Sequence, residues 1–299
     1  MNHALNHATG DELDPGPMSS SHIDAHFHCW QLARGDYGWL TPALGAICRD
    51  VSVADWLVEA APHGVGGGVL VQAAPTEAET RFLLQQAQHN NAVLGVVGWV
   101  DWLAPDAAQR VHALAQQPKL KGLRPMLQDL VDPTWILQPA VQPALQAMAE
   151  CGLVLDALVK SAHLPHILAL AKRHPALKIV IDHAAKPDIA ADEWQPWADA
   201  MARIARETRA VCKLSGLLTE SKPGANALDL KPWVDHLWAS FGPERMLWGS
   251  DWPVLEVRST YSDWLGITRT LLRSLDPTEQ AAVLGSNARS LYGLRAAMA

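Results

Sequence analysis

Two histidines separated by one residue form the most informative pattern of this sequence. They occur in His26-Phe27-His28, at the end of the β-prone run HIDAHFH. Residues two apart on a β-strand face the same side, so both imidazoles can point into one site. Such a pair can bind a divalent metal ion, or donate, accept and transfer protons. Because isolated pairs of this kind are common, its meaning depends on the residues that meet it in the fold.

Polar residues also end other apolar runs. LKIVIDH ends in His183, ERMLWGSD ends in Asp251, and Arg124 closes the run LKGLR. Asp156 and Lys213 lie near the ends of two further runs. Charged groups inside a fold are costly unless they are paired or used in function. We therefore expect these five residues to converge with the histidine pair on one site.

The elements that must position these residues alternate between short β-prone runs and helical patterns. Thr76 with Glu79 predicts a capping box at the start of one helix. Continuous apolar runs are typical of parallel strands covered by helices. Eight repeats predict an α/β fold, a single (β/α)8 TIM barrel over residues 21–299, after a polar tail at 1–20. The predicted strands are His22–His28, Val65–Gln72, Ala92–Asp101, Leu120–Pro125, Leu153–Leu158, Leu177–His183, Ala210–Ser215 and Arg245–Asp251.

The loops after four predicted strands are long. In a TIM barrel, the loops that follow the strands surround the active site. An open doubly wound sheet is the structural alternative, but no glycine-rich phosphate-binding motif follows the first strand. The long loops follow strands 1, 4, 7 and 8, at Cys29–Asp50, Met126–Gln138, Gly216–Lys231 and Trp252–Asp276.

Composition excludes several classes of partner. The chain has 299 residues, 49% of them hydrophobic, and a net charge of −7. It has no basic cluster that would suit nucleic acid and no apolar stretch of about 18 residues that would span a bilayer. The polar start and the scattered cysteines predict a cytoplasmic protein with reduced thiols. Neither pattern indicates an oligomeric state.

Several motifs in order resemble one known family. HIDAHFHCW, KGLRP, IDHAAKP, CKLSGL and ERMLWGSDWPV resemble the amidohydrolase superfamily, and within it the amidohydrolase-2 branch that contains L-fuconolactonase and L-rhamnono-1,4-lactonase. The resemblance covers nearly the whole chain. It implies a (β/α)8 barrel that hydrolyses a small-molecule sugar lactone, such as L-fucono-1,4-lactone, to the aldonic acid. A Zn-dependent decarboxylase or an amide hydrolase of the same superfamily is the alternative.

The resemblance also suggests roles for the site residues. Asp251 is expected to act as the general base that activates water. His26, His28 and His183, or a metal ion that they hold, are expected to stabilise the oxyanion. Substrate binding is expected from Arg124, Asp156, Trp30 and Lys213. For Asp156 and Lys213 a buried ion pair is the alternative.

Metal requirements follow from two departures from the metal-dependent relatives. The fourth strand offers Arg124 where those enzymes have a carboxylated lysine, and the fifth offers Asp156 without a histidine. A two-metal centre is therefore not expected. We expect catalysis that does not strictly require a cofactor, with one Zn²⁺ or other divalent ion on His26, His28 and Asp251 as the alternative.

Overall fold

The computed structural model describes residues 22–295, and eight parallel strands form one sheet in chain order. The sheet closes where β8 returns to β1, because the Asp251 amide donates to the His26 carbonyl at 2.8 Å and Phe27 pairs with Trp252. The predicted TIM barrel is confirmed, with strands slightly shorter than expected. The strands are β1 His22–Phe27, β2 Val65–Val71, β3 Val93–Gly98, β4 Leu120–Leu123, β5 Val154–Ala157, β6 Lys178–Ile181, β7 Val211–Leu214 and β8 Met246–Trp248.

Helices surround the barrel, and the segment that follows the last helix closes one of its ends. Tyr292 and Leu294, after the last helix, pack against apolar side chains that point into the barrel, such as Val154 and Leu247. The helices are α1 Val53–Ala60, α2 Glu77–His89, α3 Ala107–Ala115, α4 Gln142–Glu150, α5 Leu164–Arg173, α6 Trp197–Glu207, α7 Ala227–Phe241, α8 Tyr261–Leu271, α9 Pro277–Ala281 and α10 Asn287–Leu291. Among residues 22–295, no helix is long and apolar enough to cross a membrane.

Two of the predicted loops contain helix. α8 lies inside the predicted loop Trp252–Asp276, where the Thr260 hydroxyl caps it by accepting from the Asp263 amide at 3.1 Å. The first residues of α7 fall in the predicted loop that follows β7. Conversely, the segment from β6 to α6 is long, at 182–196, which the sequence did not predict. The tail predicted for residues 1–20 lies outside the described residues.

The predicted capping box of α2 forms only in part. The Thr76 hydroxyl accepts from the Glu79 amide at 3.0 Å, as a capping box requires. The Glu79 carboxylate, however, turns to the end of β2, where it accepts from the amides of Ala73 and Ala74. Glu79 therefore joins a helix start to the segment that leads into the site.

Candidate active site

A cavity of about 240 Å³ opens where the carboxyl ends of the strands meet. It brings together four residues predicted from the sequence: His28 after β1, Arg124 after β4, His183 after β6 and Asp251 after β8. His26 lies immediately behind His28, with the two Nε2 atoms 3.2 Å apart. The other lining residues are Trp39, Ala73, Met126, Gln128, Asp129, Leu158, Lys186 and Val254.

The Asp251 carboxylate is the centre of the polar cluster. Its Oδ1 lies 3.3 Å from Nε2 of His28, 3.6 Å from Nε2 of His26 and 3.8 Å from Nε2 of His183. Asp251 has a left-handed backbone, with φ of 58°, which aspartate tolerates better than most residues. Burial would raise the pKa of Asp251, but the neighbouring histidines, His183 first, hold it below its ordinary value.

His26 and His28 belong to one chain of hydrogen bonds. Nδ1 of His26 lies 3.2 Å from the Lys213 ammonium, which can only donate. Nδ1 of His28 lies 2.8 Å from the Val71 carbonyl, which can only accept. These partners assign the tautomers of both rings. Nδ1 of His26 accepts from Lys213 and its Nε2 donates to Nε2 of His28, while Nδ1 of His28 donates to the Val71 carbonyl. Burial and the charge of Lys213 lower the pKa of His26, so its ring stays neutral.

His183 is held by an unusual turn. Residues 183–186 all have positive φ, between 48° and 59°, which is a strained conformation for residues other than glycine. The turn places both His183 and Lys186 on the cavity. Nδ1 of His183 lies 2.9 Å from the Ser215 hydroxyl, and Gly216 leaves room for the ring, because a Cβ there would lie 2.7 Å from Nδ1. Burial lowers the pKa of His183 to about 4.

Arg124 is fixed at the cavity by Gln72, a buried residue that the sequence analysis did not select. The side-chain amide of Gln72 donates to the main-chain carbonyl of Arg124 at 2.9 Å, and the Arg124 guanidinium donates to the main-chain carbonyl of Gln72. The guanidinium also lies 3.3 Å from both Asp182 and Nε2 of His26. Its Nε is buried and has no hydrogen-bond partner among residues 22–295.

Asp156 and Lys213 form a buried ion pair and do not line the cavity. The two atoms Oδ2 and Nζ are 2.5 Å apart, and both side chains are fully buried. Asp182, also overlooked at the sequence level, lies 3.0 Å from the same ammonium, and Tyr292 donates to Asp156 at 2.9 Å. Burial would lower the pKa of Lys213, but the two carboxylates raise it. The structure therefore matches the ion-pair alternative that the sequence left open for these two residues.

Trp30, which the sequence also predicts to bind substrate, is not among the residues that line the cavity. Trp30 is fully buried, donates to the Arg49 carbonyl at 2.7 Å and lies behind His28. Its main chain pairs with that of Val51 in an antiparallel bridge. Trp39 lines the cavity in its place and donates to the Ala73 carbonyl at 2.7 Å.

The donor atoms fit a single divalent cation. Ligand atoms about 2.0–2.1 Å from a tetrahedral Zn²⁺ lie about 3.3–3.4 Å apart. The distances among Nε2 of His26, Nε2 of His28 and Oδ1 of Asp251 are 3.2, 3.3 and 3.6 Å. Binding would displace the proton between the two rings, and it would place the cation beside the guanidinium of Arg124. We therefore expect weak affinity.

The barrel and the cluster at its carboxyl ends are those of a TIM-barrel enzyme with a candidate histidine–aspartate site. The chain belongs to the Amidohydrolase family, whose pattern matches residues 23–294. This confirms the family that the sequence motifs indicated.

Named relatives and solved structures support the same grouping. The chain is 44% identical to an L-fucono-1,5-lactonase of Burkholderia ambifaria, over 90% of this chain and 94% of that protein. It is 34% identical to an L-fucono-1,5-lactonase of Burkholderia multivorans, over 93% and 97%. An amidohydrolase from Burkholderia multivorans, solved with bound Zn, matches with a TM-score of 0.87 and 33% identity, covering 92% of this chain and 99% of the other.

Proposed function

We propose that this enzyme hydrolyses a sugar lactone to the aldonic acid, with a six-membered 1,5-lactone of the L-fucono type as substrate. The observation that supports this most is the Asp251 carboxylate, whose pKa is held below its ordinary value, on a cavity that Arg124 and His183 also line. The expectation from the sequence was a 1,4-lactone. The names of two relatives favour the 1,5 ring, and the ring size is therefore part of the test.

In the proposed reaction, Asp251 takes a proton from a water molecule as the water oxygen bonds to the lactone carbonyl carbon. In the assigned tautomer, Nε2 of His28 already accepts from His26, so it neither binds the water nor contacts the oxyanion. This departs from the expectation that all three histidines stabilise the oxyanion. A lactone is an activated ester, so a positioned base is adequate for attack.

The negative charge that develops on the carbonyl oxygen needs hydrogen-bond donors. Arg124 and His183 line the cavity beside Asp251, and their side chains would supply these donors. When the intermediate collapses, the bond from the carbonyl carbon to the ring oxygen breaks, and Asp251 returns the proton to that oxygen. A divalent ion held by His26, His28 and Asp251 would polarise the carbonyl when bound.

The test is a hydrolysis screen on fresh 1,4- and 1,5-aldonolactones, with a pH indicator and enzyme assayed as purified and after chelation. The 1,5 ring is made in situ by oxidising the sugar, because it rearranges on standing. We expect turnover of the L-fucono lactone that survives the chelator, with the 1,5 ring preferred. Turnover restored only by Zn²⁺ would keep the lactonase and make the ion essential. No turnover of any lactone would contradict the proposal and favour the decarboxylase or amide-hydrolase alternative.

A further inference from the structure

The cavity has two chemically different sides. His28, His183 and Asp251 follow β1, β6 and β8 and supply the reactive groups. Met126 follows β4 and Leu158 follows β5, and these strands lie across the closed barrel from β8 and β1. We call Met126 and Leu158 the β4–β5 wall. A substrate whose carbonyl lies beside Asp251 would extend towards this side of the cavity, which Gln128 and Asp129 of the loop after β4 also line.

The β4–β5 wall offers nothing that pairs with a hydroxyl group. The side chain of Leu158 is apolar and that of Met126 carries only a weakly accepting thioether. In the main chain there, the Leu158 carbonyl accepts from the Gln128 amide at 3.0 Å. This hydrogen bond also ties the loop after β4 to the end of β5, so that the two wall residues keep their places beside each other.

We propose that the β4–β5 wall holds the C6 methyl group of a 6-deoxyhexonolactone and makes the enzyme select this class over lactones that carry a C6 hydroxyl. In such a sugar, C6 is the one carbon without an oxygen, and Met126 and Leu158 are apolar lining residues on the side away from Asp251. A C6 hydroxyl would be buried there without a hydrogen bond. The inference rests on the proposed lactonase function.

The experiment compares kcat/KM for three lactones of matching stereochemistry: L-fucono, L-galactono, which adds a C6 hydroxyl, and D-arabinono, which lacks C6. An apolar pocket discriminates against an added hydroxyl by about 10–100-fold. We therefore expect the wild type to prefer L-fucono over L-galactono by that factor. Met126→Gln and Leu158→Asn, each close in shape, should lower this preference about tenfold. Neither should change kcat/KM for D-arabinono lactone itself, because this lactone has no C6.

Val254→Thr is the matched control, because Val254 lines the cavity from the β8 side, outside the wall. It should leave the preference for L-fucono over L-galactono within about twofold. Met126 is half-buried, so its variant remains informative if Leu158→Asn does not fold. Two results would overturn the role of the wall but not the proposed function: a wild type with no preference for L-fucono over L-galactono, or wall variants with the wild-type preference. No turnover of any lactone would overturn the proposed function and the wall's role together.

Discussion

At the scale of single residues, the active site depends on which atoms carry protons. The chain from Lys213 through His26 and His28 to Val71 occupies every donor and acceptor of the two rings. Asp251 is then the group near the cavity that can take a proton from water. The histidine pair was predictable because alternation along β1 places both rings on one side. The protonation of each ring was not predictable, because it is set by partners from β2 and β7.

Replacing Asp251 by Asn tests this role. Asparagine keeps the shape of the side chain and tolerates the positive φ at this position, so folding should be unaffected. The base is lost, and kcat should fall by about 10²–10⁴-fold. The measurement is kcat on the best lactone together with the melting temperature. Asp188→Asn, an exposed carboxylate outside the cavity lining, is the control that should keep its activity. A variant of Asp251 that kept more than about a tenth of kcat would exclude it as the base.

At the scale of elements, Asp24 joins two strands to two helices beneath the site. This fully buried carboxylate accepts hydrogen bonds from the amides of His26 and Ser250, the Ser250 hydroxyl, the Trp56 indole and the Tyr261 hydroxyl. It thereby fixes β1 just before His26 and His28, and the end of β8 just before Asp251. Alternation predicts that Asp24 shares a face with His26, but the register shift in β1 after Asp24 turns it towards α1 and α8.

Asp24→Asn should therefore loosen the junction of these elements. The amide nitrogen would face donors that the carboxylate oxygen accepts from, whichever way the side chain is turned. Leaving such buried donors unpaired should cost about 2–4 kcal/mol of unfolding free energy. Tyr261→Phe removes one of the five bonds and should cost only about 1 kcal/mol. Urea unfolding of both variants measures the difference, and equal losses would show that Asp24 has no special role.

The turn at 183–186 shows the limit of prediction for elements. His183 was selected because it ends an apolar run. Its four successive positive φ values could not be foreseen, because no glycine occurs at residues 182–186. Tertiary contacts, including the ring of His183 against Gly216, hold a conformation that the local sequence disfavours. The barrel itself was predictable because eight apolar runs recur at the spacing of β/α repeats.

At the scale of the whole molecule, the barrel interior is divided along its axis. Apolar side chains fill the end that Tyr292 and Leu294 close, and the ion pair of Asp156 and Lys213 lies between this core and the catalytic cluster. Tyr292 contacts both layers, since its hydroxyl donates to Asp156. Tyr292 is thus connected to the ring of His26 through the buried charges of Asp156 and Lys213. The segment after the last helix therefore both closes the barrel and affects the electrostatics of the site.

Buried charge also makes the stability of the whole molecule depend on pH, through Glu79. Burial raises the pKa of Glu79 from 4.5 to about 7, and the charge of Asp36 acts in the same direction. The hydrogen bonds from Ala73 and Ala74 and the charge of Arg124 lower this pKa, but their effect is smaller. The folded protein then binds more protons than the unfolded chain between these values. The contribution of Glu79 to stability is present at low pH and is lost as the pH rises through about 7.

Glu79→Gln should remove this dependence, because the amide does not titrate. Between pH 5 and pH 8, the wild type should lose about 2–3 kcal/mol more of unfolding free energy than the variant, a difference of several degrees in melting temperature. Other titrating groups are common to both proteins and cancel in the comparison. The variant's missing acceptor should shift its stability by the same amount at every pH. Melting temperatures that fall in parallel for the two proteins would show that the Glu79 carboxyl stays ionised in the fold, stabilised by the amides of Ala73 and Ala74.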